Sequence, residues 1–452
     1  MGEDEEGLYP LLGGREPWDR GRWWYRLAHV CRRWRNLTLG PASYLGLSLV
    51  CTNGTPVENM LAHSPPLPLT VDYRGDNGIT AEDEEGLLFA LQQRHRVRHL
   101  RLLFPVQNLQ KLIMAIDEEL PILEYLIMEP PLKGNAALML PETLQAPNLH
   151  LLALNGFAFP IRPRLHPTAT SLVTLFLIIK HQSAYFPPNV LLEWMSSMPQ
   201  LERLVIGFSF PVLNRDVERQ LTHAPITAHI TLPNLRLFWF RGANVYLEAV
   251  ICRITTPHLE RLHIQLFKEL TFSAPHLRQF MIATKHLRFD NSLIIFKDKQ
   301  IDMLMFSHEA DTYSFGVTVD CPRDWQVSSA AQISNALSQV FSAVEHLALL
   351  HEVHGQLSEE QNYADRIAWR NLLMSFSNVK ALHVKDGLVE ELSHCLRLGN
   401  GELPLEILPE LQVLTYTGSR DTGDPFTSFI DSRQNAGRPV TLARLSPTPS
   451  SS

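Results

Sequence analysis

Along most of this chain the apolar positions repeat one figure: an apolar residue, with further apolar residues three and five positions later. It occurs at Val97-Leu100-Leu102, Leu123-Leu126-Met128, Leu149-Leu152-Leu154, Leu172-Leu175-Leu177, Leu201-Leu204-Ile206 and Leu235-Phe238-Phe240. It continues at Leu259-Leu262-Ile264, Leu277-Phe280-Ile282, Val344-Leu347-Leu349, Val379-Leu382-Val384 and Leu411-Leu414-Tyr416. Many triplets are introduced by Pro and a small or polar residue, as in APNL, MPQL, LPNL, TPHL, APHL and LPEL. There the proline fixes the turn into a strand and ends the segment before it. Between triplets, residues 108–119, 190–197 and 325–341 carry helix-compatible apolar spacing. Residues 285–321 break the rhythm, and the runs Leu293–Phe296, Met303–Phe306 and Phe315–Val319 read as strands with little helix between them.

The first triplets start 26, 26, 23 and 29 residues apart, and later intervals of 34, 24, 18, 35 and 32 wander. Such a period predicts an irregular leucine-rich repeat, one short strand and a helical or looped return per unit. The expected fold class is therefore α/β: a solenoid with parallel strands in chain order on a concave face and helices or loops outside. Leu152, Leu175, Leu204, Leu262 and Leu382 should be among its most buried residues. No asparagine recurs at the usual ladder position.

The N-terminal region has a different texture. Residues 1–21 hold an acidic cluster and read as a flexible tail. Trp23, Leu27, Val30, Cys31, Trp34 and Leu37 then recur at helical intervals, closed by Gly40-Pro41. In that amphipathic helix Trp34 is expected to pack inward with Val30 and Leu27. The organisation expected is a tail at 1–21, a helical segment at 22–50, repeats over 51–440 and a disordered end at 441–452.

Composition narrows the function. Seventy-two leucines against 23 glycines are poor material for a phosphate-cradling enzyme, and a net charge of -7 argues against bulk binding of nucleic acid. The five cysteines form no CxxC pair or metal-ligand spacing and suit a reducing, intracellular compartment, cytoplasmic or nuclear. The longest apolar run, Leu172–Ile179, is too short for a bilayer, so no membrane partner is expected. His351-Glu352-Val353-His354 lacks the HExxH spacing and a third ligand, and no metal is expected there. His95 and His99, among Arg94, Arg96, Arg98 and Arg101, could meet a phosphate or an acidic tail, but a polar strand edge is the plainer reading. Glu82, Asp83, Glu84 and Glu85 suit the start of a helix. There is no GxSxG, no glycine-rich phosphate loop and no cysteine paired with a placed histidine, so neither an enzyme nor a cofactor is expected.

Binding is the better-supported class. Residues between the apolar positions of a triplet should face a partner; in the middle units these are Arg203, Val205, Leu237, Trp239, Arg261, His263, Gln279 and Met281. An exposed tryptophan flanked by Arg241, Arg261 and His263 has the composition of an interface hot spot. The candidate partner site is thus Arg203, Trp239, Arg241, Arg261 and His263.

The phrase VCRRWRNL at Val30–Leu37, followed by GPASYLGLSLVC, resembles the second half of an F-box. With CTNGTPVENMLAHSPPLPLTVDY, NLQKLIMAIDEELPILEYL, ETLQAPNLHLL and TSFIDSRQNAGRPVTL, residues 22–444 resemble F-box proteins of mushroom-forming fungi that carry an irregular leucine-rich array. The resemblance implies a substrate-receptor subunit of a cullin-RING ubiquitin ligase, without an active site of its own. It would dock on a Skp-type adaptor through Leu27, Val30, Cys31, Trp34 and Leu37 and present an unknown target protein on its repeats. An F-box normally opens with Leu-Pro-x-Glu about 20 residues earlier; here that stretch is YPLLGGREPWDRGRW, so half of the adaptor surface is expected to be missing.

Overall fold

A computed structural model of the chain describes residues 30–33, 47–75, 78–130, 138–158, 170–210, 229–267, 272–308, 312–352, 362–397, 406–417 and 424–445. It is a mixed α/β structure whose strands are mostly parallel, and it divides into two compact units, Met1–Phe210 and Pro211–Ser452.

In the first unit, strands β1 (Leu49–Cys51), β2 (Leu69–Arg74), β3 (Val97–Leu103), β4 (Tyr125–Glu129), β6 (Leu151–Asn155), β8 (Thr174–Ile179) and β9 (Arg203–Phe208) pair in chain order. Each pair is parallel. The two-residue strands β5 (Leu138–Met139) and β7 (Phe157–Ala158) pair separately. The triplet residues fall in register, so that Cys51, Val71, Leu100, Leu126, Leu152, Leu175 and Leu204 form one ladder across the unit. Leu102, Met128, Leu154, Leu177 and Ile206 form the next. The members of both ladders are buried, and truncating one such leucine to alanine costs about 2–5 kcal/mol.

The turn before each strand explains the Pro-x-Leu phrase. The amide of Leu123, Leu149 or Leu201 donates to the carbonyl three residues back, at Leu120, Ala146 or Met198. That places Pro121, Pro147 and Pro199 at the second position of a β-turn, which their fixed φ favours. Leu235, Leu259 and Leu411 of the second unit repeat it over Pro233, Pro257 and Pro409. An asparagine does recur, in the turn rather than the ladder. Asn148 Nδ2 donates to the Pro121 carbonyl and Asn378 Nδ2 to the Ser342 carbonyl, each at 2.6 Å. Both acceptors lie two residues before the previous unit's first apolar position, at Leu123 and Val344, so the same bond ties neighbouring repeats in both units.

The second unit has the order β11 (Leu237–Gly242), β13 (Arg261–Phe267), β16 (Phe315–Asp320), β15 (Gln300–Phe306), β14 (Asn291–Phe296), β17 (His346–His351), β18 (Ala381–Val384), β19 (Val413–Thr417) and β20 (Thr441–Leu445). The short strands β10 (Ile230–Thr231) and β12 (Ile254–Thr255) pair apart from it. Here chain order fails. Residues 291–320 form a meander in which β15 runs antiparallel to both neighbours, and β16 rather than β14 lies beside β13. The tight turn closed by Lys297 N–H on the Gln300 carbonyl replaces a helical crossover, which is why the rhythm breaks there. The ladder nevertheless runs through it: Phe240, Ile264, Val317, Met303, Ile294, Leu349, Val384 and Tyr416 are in register.

One triplet is not a strand. Leu277, Phe280 and Ile282 lie on the helix Pro275–Ala283, where Ile282 is exposed, and Gln279 and Met281 go with them. A proline turn and the first turn of a helix begin alike, and Pro275 sits at the start of this one. The Glu248 carboxylate accepts from the backbone N–H groups of His276 and Leu277, both at 2.9 Å, and so caps the helix that the spacing alone disguised.

Helices between strands pack on the ladder face, as shown by Tyr246 stacked on Phe240 and Trp369 against Phe296. Segments 106–113, 188–196, 323–336 and 338–341 are helical as the spacing predicts. Ala81–Gln92 is a helix whose Thr80 hydroxyl accepts from the Asp83 amide. All five leucines singled out from the spacing, Leu152, Leu175, Leu204, Leu262 and Leu382, are buried. The side opposite the ladder is less open than a concave solvent face would be: every residue of β6 and β8 is buried, which accounts for the continuous apolar run at Leu172–Ile179.

Candidate functional site

In the second unit, the face opposite the ladder is built from alternate residues of β11, β13, β16 and β15. Register sets Trp239 beside His263 and His263 beside Gly316. The Trp239 and His263 rings lie 6.1 Å apart with planes only 6° off parallel, and Tyr313 closes on His263 at 5.6 Å. Gly316 makes this possible. A Cβ there would stand 2.7 Å from His263 Nδ1, closer than such contacts allow, so the imidazole rests on bare backbone. Burial pulls the His263 pKa down to about 4 against a smaller opposing pull from Asp302, and the ring is neutral near pH 7. Burial likewise raises the Tyr313 hydroxyl.

One register step further along lies a polar row. Asp320 accepts from Gln265 Nε2 at 3.1 Å and from Arg241 at 3.5 Å, while the Arg241 guanidinium covers the Phe267 ring. Asp302 accepts from the Thr318 hydroxyl at 2.7 Å and pairs with Lys297 at 2.8 Å. Both carboxylates are thereby matched. Arg261 differs: it is exposed at the start of β13 and makes no ion pair among the described residues. The patch combines a largely buried aromatic stack, compensated charges and one exposed guanidinium.

Four of the five partner-site residues read from the sequence, Trp239, Arg241, Arg261 and His263, therefore meet on β11 and β13. The expectation of an exposed Trp239 is corrected. Trp239 is 5% exposed, because its ring lies flat against His263 and its neighbours close over it. Arg203 begins β9 in the first unit, opposite Thr174, and is half-buried; Val205 beside it is buried. The sequence reading missed Asp302, Tyr313, Gly316 and Thr318. An isolated glycine inside the alternating run FGVTV was the available signal.

Among the proposed adaptor contacts, Val30 and Cys31 are exposed, so Val30 does not pack inward as expected of it. Leu27, Trp34 and Leu37 lie outside the described residues. The basic cluster at 94–101 is turned to internal use. Arg96 donates to the carbonyls of Leu67 and Pro65, Arg98 pairs with Glu124 and Arg94 with Glu118. His99 bonds the Thr70 hydroxyl at 3.1 Å and lies edge-on to Tyr125. Among the described residues no cluster has metal-ligand geometry and no helix is long and apolar enough to cross a membrane. No protein-family model matches the chain, and no curated protein matches it either.

Proposed function

We propose that this protein is an F-box-type substrate receptor of a cullin-RING ubiquitin ligase, holding a target protein on an irregular leucine-rich solenoid. The observation that carries the reading is the division of labour between sheet faces. In-register apolar residues are committed to the core on one side, and the other side of the second unit gathers an aromatic stack with an exposed arginine. Short parallel strands entered through proline turns, and the asparagine bond between successive turns, support a repeat architecture. The VCRRWRNL segment supports the adaptor role by resemblance, and Val30 and Cys31 are exposed as a docking segment requires.

The absence of Leu-Pro-x-Glu ahead of that segment favours a second reading, a repeat scaffold that binds proteins without the adaptor. Both readings place the target on the same patch. A target recovered with this chain as bait, once purified, should bind Arg261→Glu at least about 30-fold more weakly, equivalent to about 2 kcal/mol. The thermal midpoint should stay unchanged, since Arg261 is exposed. Equal binding by the variant would remove the patch from the account.

A further inference from the structure

The face opposite the ladder continues past the aromatic patch of the second unit, and there it is apolar and partly open. Register sets Leu304 of β15 beside Gly316, Leu293 of β14 beside Leu304, and Ile295, two residues further on, beside Leu350 of β17. All four are half-buried, whereas the neighbouring ladder residues Met303, Ile294 and Leu349 are buried. Here the strands alternate as a sheet with one solvated face does, unlike β6 and β8. Such solvated positions normally carry polar residues, so adjoining aliphatic side chains there mark a contact surface.

Cations stand at both ends of this stretch. Arg261 is exposed at the start of β13, and Lys385 is exposed just past β18, where its amide continues the ladder by donating to the Leu349 carbonyl at 3.0 Å. Both fall on the same face by alternation, since Leu262 and Val384 belong to the ladder side. Neither makes an ion pair among the described residues, while Asp302 and Asp320 on this face are matched by Lys297 and Arg241. The strand order from β13 to β18 sets the two cations roughly 24 Å apart across the sheet and roughly 13 Å apart along it, hence roughly 27 Å in all. An extended chain covers that distance in about eight residues.

Resting on the reading of this face as the partner-binding one, we infer that it holds an extended segment of the partner protein with an apolar middle and acidic ends. Apolar side chains on alternate positions of that segment lie over Leu304, Leu293, Ile295 and Leu350, and carboxylates about eight residues apart reach Arg261 and Lys385. The two unmatched charges are both positive, so the complementary ends are acidic. The aliphatic floor between them suits apolar side chains rather than a uniformly charged chain.

The probe is a fluorescein-labelled peptide, Glu-Ser-Leu-Ser-Val-Ser-Leu-Ser-Glu, titrated with the full chain by fluorescence polarisation beside a version with lysine at both ends and one with serine at every apolar position. Saturable binding of the first peptide is expected, with both other versions at least about tenfold weaker. Arg261→Glu and Lys385→Glu should each weaken it at least about tenfold, and the double variant should prefer the lysine-ended peptide. Both residues are exposed, so the thermal midpoint should not move. No binding of the first peptide, equal binding of either control peptide, or undiminished binding by the two variants would overturn the assignment. Adaptor binding does not enter this assay, so a chain that takes the adaptor and not the peptide keeps the receptor reading and loses this one.

Discussion

His263 lies parallel to Trp239 at 6.1 Å because Gly316, in register beside it, presents no side chain. The stack makes Trp239 a structural residue as well as a surface-forming one. Trp239→Ala should therefore lower the unfolding free energy by about 3–5 kcal/mol, measured by urea denaturation. Gly316→Ala should cost about 1–3 kcal/mol as the ring is pushed off the backbone. A thermal midpoint unchanged by Trp239→Ala would mean that the ring is free in solution.

The buried histidines make stability depend on pH with a definite sign. Burial lowers the His99 pKa from its ordinary 6.5 to about 4, outweighing the opposing pull of Glu124 at 3.8 Å; His263 is lowered to about 4 in the same way. The unfolded chain then binds more protons than the folded one between these values. The stabilisation is present above about pH 6.5 and is lost as pH falls toward about 4. Chemical denaturation across that range should show the decline, and His99→Gln should flatten it. A slope untouched by the substitution would place the titration elsewhere.

At the end of the array Arg433 performs a task that no spacing rule announces. Fully buried, it donates to the carbonyls of Leu408, Pro409 and Leu411 at 3.0 to 3.2 Å and so holds together the turn entering β19. Leu408 has a φ of 47°, a left-handed conformation that a leucine adopts only when its surroundings impose it. Arg433→Met should cost about 3 kcal/mol, since charged hydrogen bonds are lost and carbonyls are left dry. A cost below about 1 kcal/mol would show that water replaces the guanidinium.

The repeating turns and ladders were legible because they depend on local, periodic features: a proline at a turn's second position and apolar residues at fixed offsets. Leu152, Leu175 and Leu204 could be placed on that basis alone. Leu277 could not, because its phrase APHL begins a turn and a helix equally well and the deciding cap, Glu248, lies 29 residues earlier in sequence. The strand inversion at 291–320 was illegible for the same kind of reason: alternation identifies strands and says nothing about which neighbour each will choose. The site was half legible. Trp239, Arg241, Arg261 and His263 follow from register, whereas Asp302 and Tyr313 join them only through the meander.

Adaptor binding is the most direct test of the proposed function. The purified chain should be titrated calorimetrically with purified Skp-type adaptor, beside a version carrying a Leu-Pro-x-Glu front helix and a Trp34→Ala variant. Weak binding is expected for the chain itself, at least tenfold tighter binding for the version with the front helix, and none for Trp34→Ala. Absence of binding in both the chain and the version with the front helix would contradict the receptor account and leave a free-standing repeat protein.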